Sequence, residues 1–427
     1  MKEKLKNFIE SKRCEELFYD FYGKDIKVHE RQKKRYLKLS DEFMSIFKYK
    51  NFDYFSTPGR IEIIGNHTDH NLGKVVAAGI TLDSVAVADR TDNNIISIYS
   101  KYNNKQVEIY LNNLDFIDKE DISQALIRGV AAGFKNKGYR IGGFNALIDS
   151  EVLPGSGLSS SAAFEVLIGT IINNFYNNEK VNSIEIAKIG QFSENNYMKK
   201  PSGLMDQTAC AIGGIITIDF LKKEKPVVKK IDFDFSGYDY TVLVVNTGGN
   251  HENLTPFYAS IPQEMNKIAN FFNKKVLREV NLQNIAKNIK GIREKTGDRA
   301  ILRAFHFSKE NQRVDELVKV LEQKNFNLFL DLVNKSGNSS WKYLQNCYVP
   351  NLPENQSVPL GLMITEQFIE KIKHGACRIH GGGFAGTVLV FLPDKYVKEY
   401  ISIIEKVFGE KSVKALNIRQ NKSMKVF

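Results

Sequence analysis

Through the first ~45 residues apolar side chains recur at helical spacing, with Phe18, Tyr19, Tyr22, Tyr36, Leu37, Phe43 and Phe47 on the repeating positions, so this stretch predicts helices. From Tyr54 to about Tyr110 the pattern turns strand-like, as RIEIIG, KVVAAGITL, SVAVADR and NIISIYS, cut by Gly, Asn and Asp. A helix is expected around 123–135 and a strand at Phe144 to Ile148. A glycine- and serine-rich loop, Pro154 to Ser161, then leads into an apolar helix over Ala162 to Asn174. Ile184 to Met198 reads as a further helix and Gly213 to Phe220 (GGIITIDF) as a strand. Lys222 to Pro226 is polar and contains proline, which suits a turn near a domain junction. Beyond it lie a buried-strand pattern at Tyr240 to Asn246 and mostly helical patterns, notably 261–272 and 314–324. Gly381 to Leu392 is glycine-rich, then strand-like, and a last helix is expected over 395–408. Strands and helices in runs, without regular βαβ alternation, predict an α+β protein with a boundary around 222–238.

Composition narrows the function classes. The chain has 427 residues, 42% hydrophobic and 26% charged, enough for sizeable cores and for two or three domains at about 150 residues each. Its net charge of +11 is spread along the chain, and the densest basic patch, Arg31 to Arg35 (RQKKR), follows Glu15, Glu16, Asp25 and Glu30. That is a solvated basic surface; no zinc-finger, basic-zipper or RNA-recognition pattern accompanies it, and no nucleic-acid partner is expected. Cys14, Cys210, Cys347 and Cys377 form no CxxC pair and read as reduced thiols. The N-terminal MKEKLKNFIESKR lacks the apolar core of a signal peptide, and no run reaches the ~18 apolar residues of a membrane span. The expectation is a cytoplasmic protein without a membrane partner.

Four segments carry candidate chemistry. Pro154-Gly-Ser-Gly-Leu-Ser-Ser-Ser161-Ala-Ala sets two glycines and three serines at the mouth of an apolar helix. A phosphate chain suits such a mouth, because free N–H groups and a positive helix end converge there. No Gly-Lys-Ser/Thr ends the loop, so it is not a Walker A motif. Thr57-Pro-Gly-Arg60-Ile-Glu-Ile-Ile-Gly-Asn66-His-Thr-Asp69-His70 is a short apolar strand that ends in a cluster of polar side chains, suited to the hydroxyls of a sugar. Reading His67, Asp69 and His70 as metal ligands is weaker, since no partner cluster accompanies them. Pro201-Ser-Gly-Leu-Met-Asp206-Gln follows Glu194 on a helix, and its aspartate alone reads as a helix cap as readily as a catalyst. Gly381-Gly-Gly-Phe-Ala-Gly386-Thr permits close backbone approach, either to a phosphate or in a plain turn.

Together and in this order, the four segments resemble the GHMP kinases and, within them, the galactokinases. TPGRIEIIGNHTDH, LPGSGLSSSAA and HGGGFAGT match the three family motifs, and GLMDQ matches the segment of the catalytic aspartate; the likeness runs from about Phe18 onward and includes a helical VLREV stretch around Val276. The resemblance implies a two-domain fold. An N-terminal domain (1–230) would carry an unusual left-handed βαβ crossover, and a C-terminal domain (231–427) would be ferredoxin-like. It implies ATP-dependent phosphorylation of the C1 hydroxyl of galactose, with Asp206 as base and Arg60 beside it as stabilising cation. It further implies an ATP phosphate cradle of Gly155, Ser156, Gly157, Leu158, Ser159, Ser160 and Ser161, with Mg²⁺ on Ser161 and Glu194. Asn66, His67, Thr68, Asp69 and Tyr258 would contact the sugar, and the enzyme would act as a monomer.

The chain departs from the family pattern at several positions. The tetrad that usually begins with Glu, the contact to the sugar's C6 hydroxyl, begins here with Asn66. The usual Asn two residues after Arg60 is Glu62, and His380 stands where Thr is usual. Loss of an anion near C6 makes a galacturonate kinase the runner-up to a galactokinase, and a cation near Asn66 would favour the uronic acid. A non-catalytic sugar sensor is a third reading, disfavoured by the uninterrupted Ser159-Ser-Ser-Ala-Ala and the presence of both Asp206 and Arg60.

Overall fold

A computed structural model describes residues 2–48, 51–153, 155, 157–200, 202–222, 224–248, 254–384 and 386–427. Three helices open the chain, α1 (Lys2–Ile9), α2 (Lys12–Tyr22) and α3 (Ile26–Phe47). The Ser11 hydroxyl accepts the Cys14 N–H at the start of α2, and the Asp25 carboxylate accepts the Lys27 N–H at the start of α3, standard N-cap bonds. The expected periodicity holds with a shift of face: Phe18, Tyr22, Tyr36 and Phe43 are buried, whereas Tyr19 and Leu37 are exposed.

The first sheet follows, with β1 (Asp53–Ile64), β2 (Lys74–Arg90), β3 (Ile95–Ser100), β4 (Lys105–Tyr110), helix α4 (Ile122–Asn136) and β5 (Phe144–Ser150). Helices α5 (Ser160–Asn177), α6 (Ser183–Asn196) and α7 (Met205–Ile212) precede β6 (Ile215–Asp219) and β7 (Val227–Ile231). β3 and β5 pair in parallel, with β4 and α4 in the connection; the other pairings of this sheet are antiparallel. The sheet is apolar on both faces because successive side chains point opposite ways. Tyr54, Val85 and Val87 pack under α2 and α3, while their neighbours Phe55, Ala86 and Ala88 join the core built with α4 to α7.

KVVAAGITL and SVAVADR are one strand of 17 residues, not two. Asp83 marks no turn, because Arg35 and Arg419 neutralise it inside the protein.

After β8 (Tyr240–Asn246) come α8 (Thr255–Phe271), α9 (Leu282–Lys287), α10 (Ile289–Thr296), α11 (Asp298–Glu322), α12 (Phe326–Ser339) and α13 (Ser357–Ile372). The chain then forms β9 (Ala376–His380), β10 (Thr387–Pro393), α14 (Asp394–Phe408) and β11 (Val413–Leu416). Strand order β11-β8-β10-β9 makes a second, wholly antiparallel sheet. The VLREV stretch is a single 3₁₀ turn, Leu277–Glu279, between extended residues, not a helix. The tail returns to the first sheet as β12 (Met424–Lys425), paired with β1 at Phe55 and Ser56. Among the described residues no helix is long and apolar enough to cross a membrane, and all four cysteines are free and buried.

Candidate active site

Arg60 comes from β1, and Asp206 from the first turn of α7. The two meet in a bidentate pair, Nε to Oδ1 and Nη2 to Oδ2, both at 2.7 Å. Asp206 caps no helix; its carboxylate turns to the arginine instead. The remaining Arg60 nitrogen donates to the Gly157 carbonyl at 2.6 Å, so the glycine–serine loop is tied to the same cation. Ser159 holds a left-handed backbone (φ 59°) at the head of α5, and its hydroxyl donates to Asp206 Oδ2 rather than capping the helix. Burial on its own would raise the Asp206 pKa, but Arg60 and the Ser159 hydroxyl outweigh it and hold the carboxyl at about 2.

Behind this pair lies a second carboxylate. The Ser161 hydroxyl donates to Glu194 Oε1 at 2.8 Å, and Lys200 Nζ reaches the same oxygen at 3.0 Å. Gln207, the residue after Asp206, donates to Glu194 Oε2 and to Glu165 Oε2, each at 3.0 Å. Glu165 is fully enclosed, and burial followed by the nearby Glu194 charge pushes its pKa well up, which favours the protonated acid. Among the described residues no group of three or more His, Cys, Asp or Glu side chains gathers as a metal cage, and His67 instead spends Nε2 on the Gly382 carbonyl at 2.7 Å.

The second sheet closes the site from the other side. Gly157 has φ +73°, and a Cβ there would overlap the Thr387 hydroxyl, so the loop and the start of β10 approach as only glycine allows. His380 lies between the two sheets here. Its Nε2 accepts the Glu62 backbone N–H at 3.2 Å, which leaves Nδ1–H to face the Thr387 hydroxyl at 3.3 Å. Burial, then Arg60 and Arg378, drive its pKa well down, so it is a neutral bridge between the sheets.

The expected sugar-binding residues divide into two groups. His67, Asp69 and Tyr258 remain partly open. Tyr258 donates to the Gly383 carbonyl at 3.1 Å, on the same glycine turn that holds His67, and Asp69 Oδ2 lies close against Gly203, near Asp206 in the chain. Thr68 and Asn66 are turned inward. The Thr68 hydroxyl faces the carbonyls of Gly65 and Lys74 at 2.9 and 2.7 Å, and Asn66 is 1% exposed with its amide bonded within the protein. Of the expected phosphate loop, Gly157, Leu158, Ser159, Ser160 and Ser161 reach the site or open α5 and Gly155 is exposed, while Ser156 lies outside the described residues, as do Pro154 and Pro201.

Sequence reading missed His306 and Glu310. One turn apart on α11, they grip the tetrad's backbone: His306 Nε2 bonds the Asn66 carbonyl at 2.9 Å, and Glu310 Oε1 accepts the Gly65 N–H at 3.0 Å. It also missed Gln207, Glu165 and Asn346. Nothing local marks such residues; the i,i+4 spacing of two polar side chains in an otherwise amphipathic helix was the only hint.

Comparison with known proteins finds relatives over most of the chain. Residues 125–214 match the GHMP kinases N terminal domain and residues 41–90 the galactokinase galactose-binding signature. A galactokinase from Limosilactobacillus reuteri (strain DSM 20016) is 27% identical over 384 residues, covering 87% of this chain and 93% of the relative. One from Clostridium acetobutylicum is 29% identical over 390 residues, covering 87% and 93%. The crystal structure of Lactococcus lactis galactokinase complexed with galactose superposes with a TM-score of 0.76 at 26% identity, covering 91% of this chain and 99% of that one. A Methanococcus jannaschii mevalonate kinase shares the fold at a TM-score of 0.59 and 18% identity. In sequence and in structure the chain is similar to galactokinases of the GHMP kinases.

Proposed function

We propose that the protein transfers the γ-phosphoryl group of ATP to the C1 hydroxyl of galactose, giving galactose 1-phosphate and ADP. The observation that carries this reading is the convergence on Arg60: one guanidinium holds both the Asp206 carboxylate and the Gly157 carbonyl of the loop that opens α5. Acceptor-side carboxylate, stabilising cation and phosphate loop therefore share one point.

Asp206, held near pKa 2, is ionised throughout the neutral range and is a weak base toward an alcohol. Its part is to accept a hydrogen bond from the C1 hydroxyl and aim that oxygen's lone pair. The proton passes to the carboxylate as the O–P bond forms and the bond to ADP breaks, when the oxygen has become acidic. Arg60 keeps the carboxylate anionic and offsets negative charge on the phosphoryl oxygens. Residues Gly155 to Ser161 receive the phosphate chain, with the first-turn N–H groups of α5 as donors. Ser161 and Glu194 are oxygen donors side by side, a set suited to Mg²⁺ when phosphates and waters complete its shell. A bound Mg²⁺ would neutralise phosphate charge there. His67, Asp69 and Tyr258 line the sugar side.

ADP release measured with galactose, galacturonate and N-acetylgalactosamine tests the reading. Turnover is expected with galactose, and absence of galactose-dependent ADP release overturns it.

A further inference from the structure

Glu62 and Asn66, the two departures from the family pattern, touch each other. Asn66 Nδ2 donates to Glu62 Oε2 at 3.0 Å and to the Gly381 carbonyl at 2.7 Å, and Asn66 Oδ1 accepts from Asn346 Nδ2 at 2.8 Å. Both amide hydrogens are thus used inside the protein, and an asparagine has no others to offer a ligand. No hydrogen-bond partner of this amide is cationic; the nearby arginines act on the Glu62 carboxyl instead.

Glu62 is differently placed. The residue is 3% exposed; its Oε2 takes the Asn66 bond, and among the described residues its Oε1 is not one of the sealed, unpartnered polar atoms. Three charged groups act on the carboxyl: Arg378 from β9, Arg60 on its own strand, and Asp69 from the turn after β1; neutral His380 meets the Glu62 backbone N–H. It therefore stands between the arginine of the phosphoryl site and the aspartate of the sugar side. Burial is the largest influence and pushes its pKa up to about 7, against the pull of the two arginines and the Asn66 hydrogen bond.

We infer that Glu62, not Asn66, is the carboxylate this site presents to the sugar, the two positions having exchanged side chains, and that it makes the site select a neutral hexose over the corresponding uronic acid. The inference rests on the galactose-phosphorylating reading above. Above about pH 7, where it is ionised, a carboxylate here accepts a hydroxyl hydrogen bond well and repels a second carboxylate, which gives both attraction to the right substrate and rejection of the wrong one. Asn66 then serves to hold Glu62 and the glycine turn of 381–383 in register.

The test is an exchange experiment with Glu62→Asn, Asn66→Glu, the double variant, and the near-isosteric Glu62→Gln, with melting temperatures recorded for each. Glu62→Asn and Glu62→Gln should raise KM for galactose about 10-fold or more with KM for ATP unchanged, the size of losing a charged hydrogen bond. The double variant should recover most of that loss. Glu62→Gln should also shift the galactose-to-galacturonate ratio of kcat/KM toward galacturonate by about 10-fold. Unchanged galactose KM in a folded Glu62→Gln protein, or a double variant no better than the poorer single, overturns the inference. Absence of galactose turnover in the unmodified protein would instead sink the reading on which it rests.

Discussion

Two aspartates, each clasped by arginine, sit on the first sheet and its helices, and they have opposite fates. Asp83, mid-way along β2, takes hydrogen bonds from Arg35 (2.7 Å), Tyr22 (2.8 Å), Ser56 (2.5 Å) and Arg419 (3.3 Å), and its side chain is 0% exposed. Its partners come from α2, α3, β1 and the tail, so one carboxylate ties both ends of the chain to the sheet. Among the described residues Asp206 takes side-chain hydrogen bonds from Arg60 and Ser159 alone, and 32% of its side chain remains exposed. The chemistry of the two pairs is alike; the number of elements around each differs. Sealed on every side, such a pair is a clamp. Left open on one side, it can meet a substrate.

That contrast is best tested by neutralising each aspartate. Asp206→Asn should lower kcat by roughly 10²–10⁴-fold, the usual contribution of a positioned proton acceptor, while the melting temperature stays close to that of the parent protein. Asp83→Ala should do the reverse. It strands Arg419 and Arg35 inside the protein at a cost of about 3–5 kcal/mol, seen as earlier unfolding in denaturant, with kcat per folded molecule retained. If the two variants lose activity and stability in the same proportion, the distinction between clamp and catalyst fails.

A smaller effect is expected one step back from the open pair. Gln207→Met removes the amide that steadies Glu194, and the Mg²⁺ concentration for half-maximal rate should rise about 10-fold, in the range for loss of a ligand's supporting hydrogen bond. The smallest concerns pH. Glu62 is raised from 4.5 to about 7, so the stability carried by its neutral form is complete below 4.5 and is lost as pH rises through about 7. Asp206 is lowered from 3.8 to about 2; its contribution is present above 3.8 and lost only as pH falls through about 2. Thermal melts of Glu62→Gln against the parent should therefore diverge between about pH 4.5 and 7, with the variant relatively more stable at the alkaline end.

Much of this site could be read from the chain because its chemistry is concentrated in short segments at the ends of apolar runs. Arg60, the loop before α5, Glu194 and Asp206 all announce themselves this way. The inward turn of Asn66 could not be read, since its amide partner Asn346 is 280 positions away and carries no local pattern. Asp83 misled in a related manner: a charge inside an apolar run suggests a break, and only the long-range approach of Arg35 and Arg419 keeps β2 continuous. Strands β7, β9, β11 and β12 escaped for want of length or contrast. β12 spans two residues and is defined by the strand it joins.

That last pairing has a bearing on biosynthesis. β1, which carries Arg60, is made early, yet its outer edge is completed only by Met424 and Lys425, and Tyr54 exchanges backbone hydrogen bonds with Val426 and Phe427 at 2.7 and 2.9 Å. While a ribosome still holds these residues in its exit tunnel, the strand bearing the arginine presents bare N–H and C=O groups to other nascent chains. Early termination before residue 424 should accordingly reduce the yield of native protein.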